Sequence, residues 1–330
     1  MKRMFPKKLV AALAATVPLA LASVPASAQE AYPSRPIRLV VGYAAGGPTD
    51  AISRLVAQEV STSLGQPVVV ENKGAASSMV ATREVRAAPA DGYTLLVGAV
   101  GHNVNPILHG ARAGYDPHAD FAPITNMATT PLIVVTAYDA PARTMGELVQ
   151  QIKASPTPVS FGSSGNGGSG HLAGELLSTA VKHKMLHVPF RGSSAALVDV
   201  MARRVDFMFY PIVGVEEQAA ARKLRPLAAA TAQRLPQFPD VPTLSEVGLA
   251  GFEETAPWIG MFAPAKTPPE VVNKINEAVV AALRKPDIRA RIAKMGGVVA
   301  GDSPAAFAAY LKRDYQRWEQ VIRTAGVTAD

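Results

Sequence analysis

Two glycine-rich bends hold the residue types in this chain that could do chemistry. The first is Tyr43-Ala44-Ala45-Gly46-Gly47-Pro48-Thr49-Asp50; the second is Ser163-Ser164-Gly165-Asn166-Gly167-Gly168-Ser169-Gly170-His171. Each follows a short apolar run and precedes apolar residues at helical spacing: Ile52, Leu55 and Val56 in one case, Leu172, Leu176 and Leu177 in the other. Glycine lets the backbone turn sharply with its N–H groups exposed. A small-residue turn from strand to helix therefore offers an anion free N–H donors and the positive end of a helix. One such turn in each half of the chain suggests a cleft that grips a carboxylate from both sides.

Other chemistries have partial signatures. Gly165-Asn166-Gly167-Gly168-Ser169-Gly170 matches G-x-G-x-x-G between a strand and a helix, the pattern of a dinucleotide site. The acid that such a site needs after the next strand is missing, because Phe190-Arg191-Gly192 stands there; Arg191 would suit a 2′-phosphate instead. The alternative function is thus an exported α/β oxidoreductase using a nicotinamide nucleotide at the Gly165–Gly170 loop. For hydrolysis, Ser163 and Ser164 sit where a nucleophile elbow would, but G-x-S-x-G fails at Asn166 and no acid–His pair declares itself. The six histidines are His102, His109, His118, His171, His183 and His187. His183 and His187 are four apart, yet without a carboxylate motif or cysteine they make a poor zinc site. His171 could donate to an anion or cap its helix. No metal and no cofactor is expected. Tyr210, after the strand Asp206 to Phe209, stands at a strand's carboxyl end, where ligands of parallel sheets bind; its other role would be packing at a lobe edge.

Lys2, Arg3, Lys7 and Lys8 precede the apolar run Leu9 to Leu21, and Ala26-Ser27-Ala28 supplies a small-x-small cleavage pattern. Residues 1–28 read as a secretory leader cut before Gln29. Pro18 interrupts the run short of the roughly 20 apolar residues a membrane span needs. An exported chain meets few nicotinamide nucleotides, and Lys2-Arg3 is not the Arg-Arg of a signal that exports folded cofactor proteins. The leader holds four of the 33 basic residues and none of the 26 acidic ones, so its loss lowers the formal charge from +7 to +3. The basic balance therefore argues little for nucleic acid. Lys182-His183-Lys184 and Arg222-Lys223-Leu224-Arg225 are short and lack interleaved aromatics, as solvated helix ends do. With no cysteine the chain has no disulfide and must stand on its own core. Aromatics make up 6% of it, which disfavours a sugar-stacking pocket and leaves small acids open.

The elements that position the bends alternate. Ile37–Val41, Val68–Val70 and Tyr93–Gly98 read as strands separated by helices, and Gly101–Pro106 as a polar loop beyond the third. Phe121–Ile124 and Pro131–Val135 read as a strand crossing out of this first lobe. The alternation resumes with helix Met145–Lys153, strand Val159–Gly162 and the helix from His171. Strand Leu186–Phe190, helix Ala195–Met201 and strands Val205–Phe209 and Leu227–Ala230 follow. Trp258–Ala263 reads as the return crossing. Helices Pro269–Arg284 and Ala305–Thr324, with no strand after them, are expected to pack on the first lobe. The expected fold is α/β, with parallel sheets in two lobes joined by two hinge crossings. Lobe 1 spans 29–135 and 255–330, and lobe 2 spans 136–254.

Ordered short matches run through nearly the whole mature chain: Tyr32-Pro33-Ser34-Arg35-Pro36-Ile37, Gly46-Gly47-Pro48-Thr49-Asp50, Leu64-Gly65-Gln66-Pro67-Val68, Pro89-Ala90-Asp91-Gly92-Tyr93, Ser163-Ser164-Gly165-Asn166-Gly167-Gly168, Val188-Pro189-Phe190-Arg191-Gly192 and Phe238-Pro239-Asp240-Val241-Pro242-Thr243. With these the chain resembles the extracytoplasmic solute receptors of tripartite tricarboxylate transporters, the Bug family. The resemblance implies a type II periplasmic binding protein, a Venus flytrap that closes over a small carboxylate in the periplasm. It implies a monomer, no enzymatic activity, and as partners membrane transporter subunits or a sensor kinase ectodomain. Carried over, Tyr43, Ala44, Ala45, Gly46, Gly47 and Thr49 from the first bend and Ser163, Ser164, Gly165, Asn166 and Ser169 from the second bind the ligand, with Arg191 and Gly192 on the neighbouring edge. Ser77, His102 and Tyr210 complete the candidate site. Ala45 departs from the family's proline, and Gly74-Ala75-Ala76-Ser77-Ser78 replaces a more glycine-rich run. Tyr210 stands where many members carry Asp, which points to an organic or aromatic acid without an amino group.

Overall fold

The computed structural model describes residues 32–74 and 76–328, together with Met1. The leader, its expected cleavage before Gln29, and Ala75 lie outside the described residues.

Strand β1 (Ile37–Val41) runs through the first bend into α1 (Pro48–Leu64), and β2 (Val68–Asn72) returns parallel to β1. Proline's fixed φ suits the start of α1. Ile52, Leu55, Val56 and Val60 bury one face, and Gly65 ends the helix in the left-handed region. Helix α2 (Met79–Arg86) leads to β3 (Thr94–Gly98), parallel to β1 on its other edge.

The expected polar loop after β3 is instead the helix α3 (Gly101–His109). Pro106 inside it has no N–H to give the His102 carbonyl, and the Tyr115 hydroxyl donates to that oxygen at 3.0 Å. The polar residues that suggested a loop are buried hydrogen-bonding positions. Asn103 Nδ2, for example, donates to Asp314 Oδ2 at 2.9 Å.

After β4 (Phe121–Thr129) the chain crosses at Thr130–Pro131, so β5 (Leu132–Ala137) already belongs to the second sheet. The expected lobe boundary at residue 135 falls inside that strand. The second lobe continues with α4 (Met145–Ala154), β6 (Ser160–Ser163), α5 (Ser169–Val181), β7 (Leu186–Pro189), α6 (Ser193–Met201) and β8 (Phe207–Pro211). An unanticipated short helix, α7 (Val215–Ala220), and β9 (Leu224–Ala229) complete it. The chain returns through Ala256–Pro257 into β10 (Trp258–Pro264), then α8 (Pro269–Arg284), α9 (Pro286–Lys294), β11 (Val298–Val299) and α10 (Pro304–Ala325). Sequence periodicity missed α9 and the short β11, which pairs with β4.

The sheets are mixed rather than parallel. The first has the order β11-β4-β10-β3-β1-β2 and the second β7-β6-β8-β5-β9. Strands that enter from the other lobe run against their neighbours: β10 is antiparallel to β3 and β4, and β5 to β8 and β9. Each sheet is covered on both faces. In β1, Leu39 and Val41 pack under α1 and α8, while Val40 faces Trp258, Phe262 and Phe307. In β8, Phe207 and Phe209 face one cluster, and Met208 and Tyr210 the other. The two crossings meet where Thr130 N–H donates to the Pro257 carbonyl at 2.9 Å.

Buried Asp314 ties α10 to the rest of the first lobe. Its carboxylate accepts from Asn103 Nδ2, from Trp258 Nε1 at 3.1 Å and from Trp318 Nε1 at 3.0 Å, with Arg317 alongside at 2.8 Å. Removing the acceptor leaves several buried donors without it. Asp314→Ala is expected to lower the unfolding free energy by at least about 3 kcal/mol, read by urea titration, with Asp314→Asn less damaging.

Candidate functional site

Both bends lie at the carboxyl ends of parallel strands, where an α/β sheet presents its backbone to a ligand. In the first, Gly46 turns at φ 76° and Gly47 precedes α1 in an extended conformation. Gly46 N–H donates to Asp50 Oδ2 at 2.9 Å. The carboxylate also pairs with Arg54 and accepts from Asn72 Nδ2 at 2.8 Å, and the same amide reaches the Tyr43 carbonyl at 3.1 Å. Burial pushes the Asp50 carboxyl up, but the hydrogen bonds from Arg54, Gly46 and Asn72 outweigh it and hold the group below its ordinary value. Tyr43 extends inward to the Gly101 backbone, and burial raises its hydroxyl well above the ordinary tyrosine value.

The second bend has the same build. Gly167 turns at φ 74°, Gly168 precedes α5 in an extended conformation, and Gly167 N–H donates to His171 Nδ1 at 3.0 Å. Beneath it, Ser163 Oγ accepts from Gly165 N–H at 3.1 Å and meets His187 Nε2 at 2.6 Å. The His171 and His187 rings stack with centroids 3.8 Å apart. Burial pulls both imidazoles down, His171 to about 4, and His187 to about 3 with the help of its histidine neighbour.

The bends face one another across a shared gap. Ser77 Oγ donates to the Asn166 carbonyl at 2.5 Å, and Ser194 Oγ lies 3.5 Å from the Gly46 carbonyl. A methyl group placed on Gly192 would sit 3.0 Å from Ala44 Cβ. Two cavities of about 40 and 30 Å³ lie where the bends approach one another. Tyr43, Ala44, Ser77, Ser164, Gly165, Arg191 and Gly192 line the first, with Gly42, Gly74 and Phe190. Tyr43, Thr49 and Ser169 line the second, with Pro211 and the crossing residues Thr130 and Pro257 among others. Gly46, Gly47 and Asn166 shape the bends, buried Ser163 supports one from below, and Ala45 is exposed at the tip of the other.

Two of the expected residues do not reach the gap. His102 is fully buried in the first lobe, stacked on Phe262 with centroids 4.4 Å apart, and its Nε2 lies 3.1 Å from the Pro117 carbonyl. As part of a helix rather than a loop, its side chain points into the core. Burial lowers its pKa to about 4. Tyr210 sits one layer back, buried under α6 with its hydroxyl against Ser194. Sequence reading missed Ser193 and Ser194, although Gly192 followed by two serines before an apolar helix repeats the signature of the other bends. The close approach of Gly74 also escaped it.

A larger cavity of about 770 Å³ lies elsewhere, between α1 and α9 of the first lobe and α7 and Phe238 of the second. Neither bend's glycines open onto it, so the smaller gap is the candidate site. Among the described residues no group of three or more His, Cys, Asp or Glu could hold a metal ion, and no helix is long and apolar enough to cross a membrane.

Comparison with known proteins gives this geometry a context. Residues 52–327 match the family model described as tripartite tricarboxylate transporter family receptor. A UPF0065 protein of a Pseudomonas species is 37% identical over 294 residues, covering 89% of this chain and 87% of that one. Among solved structures, an R. palustris protein with adipate is 33% identical at a TM-score of 0.86, covering 90% of this chain and 99% of that one. MatC from Rhodopseudomonas palustris with bound malate is 32% identical at a TM-score of 0.83, covering 88% and 100%.

The site's packing has two measurable consequences. A Cβ on Gly74 would fall 2.5 Å from Ala44 N and 2.7 Å from the Tyr43 carbonyl carbon, both main-chain atoms of the first bend. Gly74→Ala is expected to displace that bend and lower stability by about 1–3 kcal/mol, measured by thermal unfolding. The buried histidines also set a pH dependence. Unfolded, each takes its proton near 6.5, whereas His102 and His171 stay neutral in the fold down to about 4. Their contribution is complete above about pH 6.5 and is lost as pH falls from there towards 4, by up to about 1.4 kcal/mol per pH unit for each. Urea titrations at pH 7 and pH 5 are expected to show the lower stability at pH 5.

Proposed function

The chain belongs to the tripartite tricarboxylate transporter receptor family, and from that membership we propose that its lobes close on one small organic acid in the periplasm, held by main-chain amides of the two bends. The observation that carries this reading is the placement of both bends across one gap, with Ser77 reaching Asn166 from the other side. The lining supports an anionic guest: none of its residues is acidic, and its one cation, Arg191, is exposed at the rim. Asp50, the acid nearest the first bend, is engaged by Arg54, Asn72 and Gly46. A ligand amino group would find no carboxylate partner there, and Tyr210 supplies none. Adipate and malate in the related structures are likewise acids without an amino group.

The energetics are sufficient without a fixed cationic clamp. Each charge-assisted hydrogen bond to a carboxylate contributes about 1.5–3 kcal/mol, and a helix end about 0.3–1 kcal/mol. Four such bonds offset an association cost of at least about 4 kcal/mol and leave micromolar affinity, near −8 kcal/mol, within reach. A guest larger than the present 30–40 Å³ cavities requires the lobes to open for entry, and the hydrogen-bonded crossings at Thr130 and Pro257 are the place for that motion. Release would then serve a membrane transporter or a sensor. The nicotinamide alternative finds no support: the relatives are receptors, and the Gly165–Gly170 loop packs against the first lobe.

Isothermal titration with small mono- and dicarboxylates and with amino acids tests the proposal. At least one plain carboxylate is expected to bind with micromolar affinity and without turnover, with a smaller radius of gyration by X-ray scattering. Arg191→Ala is expected to weaken a dicarboxylate by no more than about tenfold, as suits an exposed charge. Binding of amino acids alone, or of NADP at micromolar concentration, would refute it.

A further inference from the structure

The two bends are built to one pattern but fastened by different chemistry. In each, a glycine at φ near 75° gives its N–H to the side chain four residues on, in the first turn of the following helix: Gly46 to Asp50 and Gly167 to His171. The first fastener is a carboxylate, neutralised by Arg54. The second is an imidazole. Because its Nδ1 accepts Gly167 N–H, that nitrogen carries no proton and the ring is uncharged. The proton sits on Nε2, which lies 3.7 Å from Glu175 Oε1. His187 stacks on the ring and reaches Ser163 Oγ, which holds Gly165 N–H, so the two imidazoles together fix both ends of the Gly165–Gly167 turn.

We propose that His171 is a positioning residue for ligand capture, an uncharged acceptor that shapes the second bend without putting a carboxylate in direct contact with it, Glu175 being held one ring away. This rests on the carboxylate-receptor reading. An aspartate at position 171 could accept the same N–H, as Asp50 does in the first bend, but no arginine stands four residues on; that position is Glu175. An unneutralised carboxylate there would offset the positive end of α5 and repel an incoming anion. Neutral imidazole satisfies Gly167 N–H and adds no charge of its own beside the bend. The second bend becomes the electropositive jaw, while the first carries its own neutralised acid.

Three substitutions separate positioning, charge and mere packing. Asparagine and aspartate both carry an oxygen at the same number of bonds from Cα as Nδ1. Amide hydrogen exchange at Gly167, followed by NMR in ligand-free protein, reports the hydrogen bond, and titration with a carboxylate panel including adipate and malate reports binding. His171→Asn is expected to keep Gly167 protected and to hold affinity within about threefold of wild type, whereas His171→Ala loses the protection and about tenfold in affinity. His171→Asp is expected to keep Gly167 protected and yet bind at least about tenfold more weakly than His171→Asn. Wild-type exchange at Gly167 in His171→Ala would overturn the positioning role, and equal affinities of the Asp and Asn variants would overturn the charge argument. Should no carboxylate bind the wild type, the receptor reading fails, while the exchange rates still decide what holds the turn.

Discussion

Each jaw of this receptor depends on one backbone hydrogen bond. The N–H of a glycine that has turned into the left-handed region is taken by a side chain from the first turn of the next helix, Asp50 for Gly46 and His171 for Gly167. A left-handed turn costs a glycine little, but its N–H needs a partner if the bend is to hold one shape. Once that donor is occupied, the bend is fixed at the start of its helix. Two unrelated side chains serve because only an acceptor at the right reach is needed. The charge each brings is a separate matter, and Arg54 settles it for Asp50.

Facing the bends across a common gap requires both sheets and both crossings. β1 and β6 are parallel to their neighbours, so their carboxyl ends open towards the bends, whereas β5 and β10 run antiparallel because they arrive from the other lobe. The crossings are short and hydrogen-bonded to each other at Thr130 and Pro257. They also contribute to the wall of the smaller cavity, so a change in lobe angle is also a change in the site.

Strain collects on the first lobe's side of the gap. Ser77 and Ser78 both have positive φ, 49° and 79°, and neither is glycine; such residues cost about 1–2 kcal/mol each. Surrounding contacts hold them there. Asn105 Nδ2 donates to the Ser77 carbonyl at 3.0 Å, and Ser77 Oγ spans the gap to Asn166. The hydroxyl that reaches across the gap therefore comes at the expense of a backbone that glycine would adopt freely. An adjacent constraint is steric: Gly42 and Gly101 have no room for a Cβ, because Ser78 and the Ser77 carbonyl press against them.

The amino-acid sequence by itself determined the parts whose physics is local. Glycine pairs before an apolar helical repeat mark the bends, since no other residue turns there so cheaply, and the repeats at Ile52–Val60 and Leu172–Leu177 bury as their spacing requires. The ordered motifs were enough to identify the family. What depends on distant contacts was not legible. Asn103, Asn105 and Pro106 resemble a loop until Tyr115 and Asp314 supply the partners that let them be helix, and that same helix carries His102 into an aromatic core instead of the gap. Tyr210 lies at a strand end, as its position suggested, yet α6 covers it. The direction of β5 and β10, the seat of the crossing at Thr130–Pro131, and the pairing of Ser163 with His187 all arise from segments far apart in the chain. Only the tertiary structure decides such matters, because burial and hydrogen-bond partners belong to the assembled fold and not to any one stretch of residues.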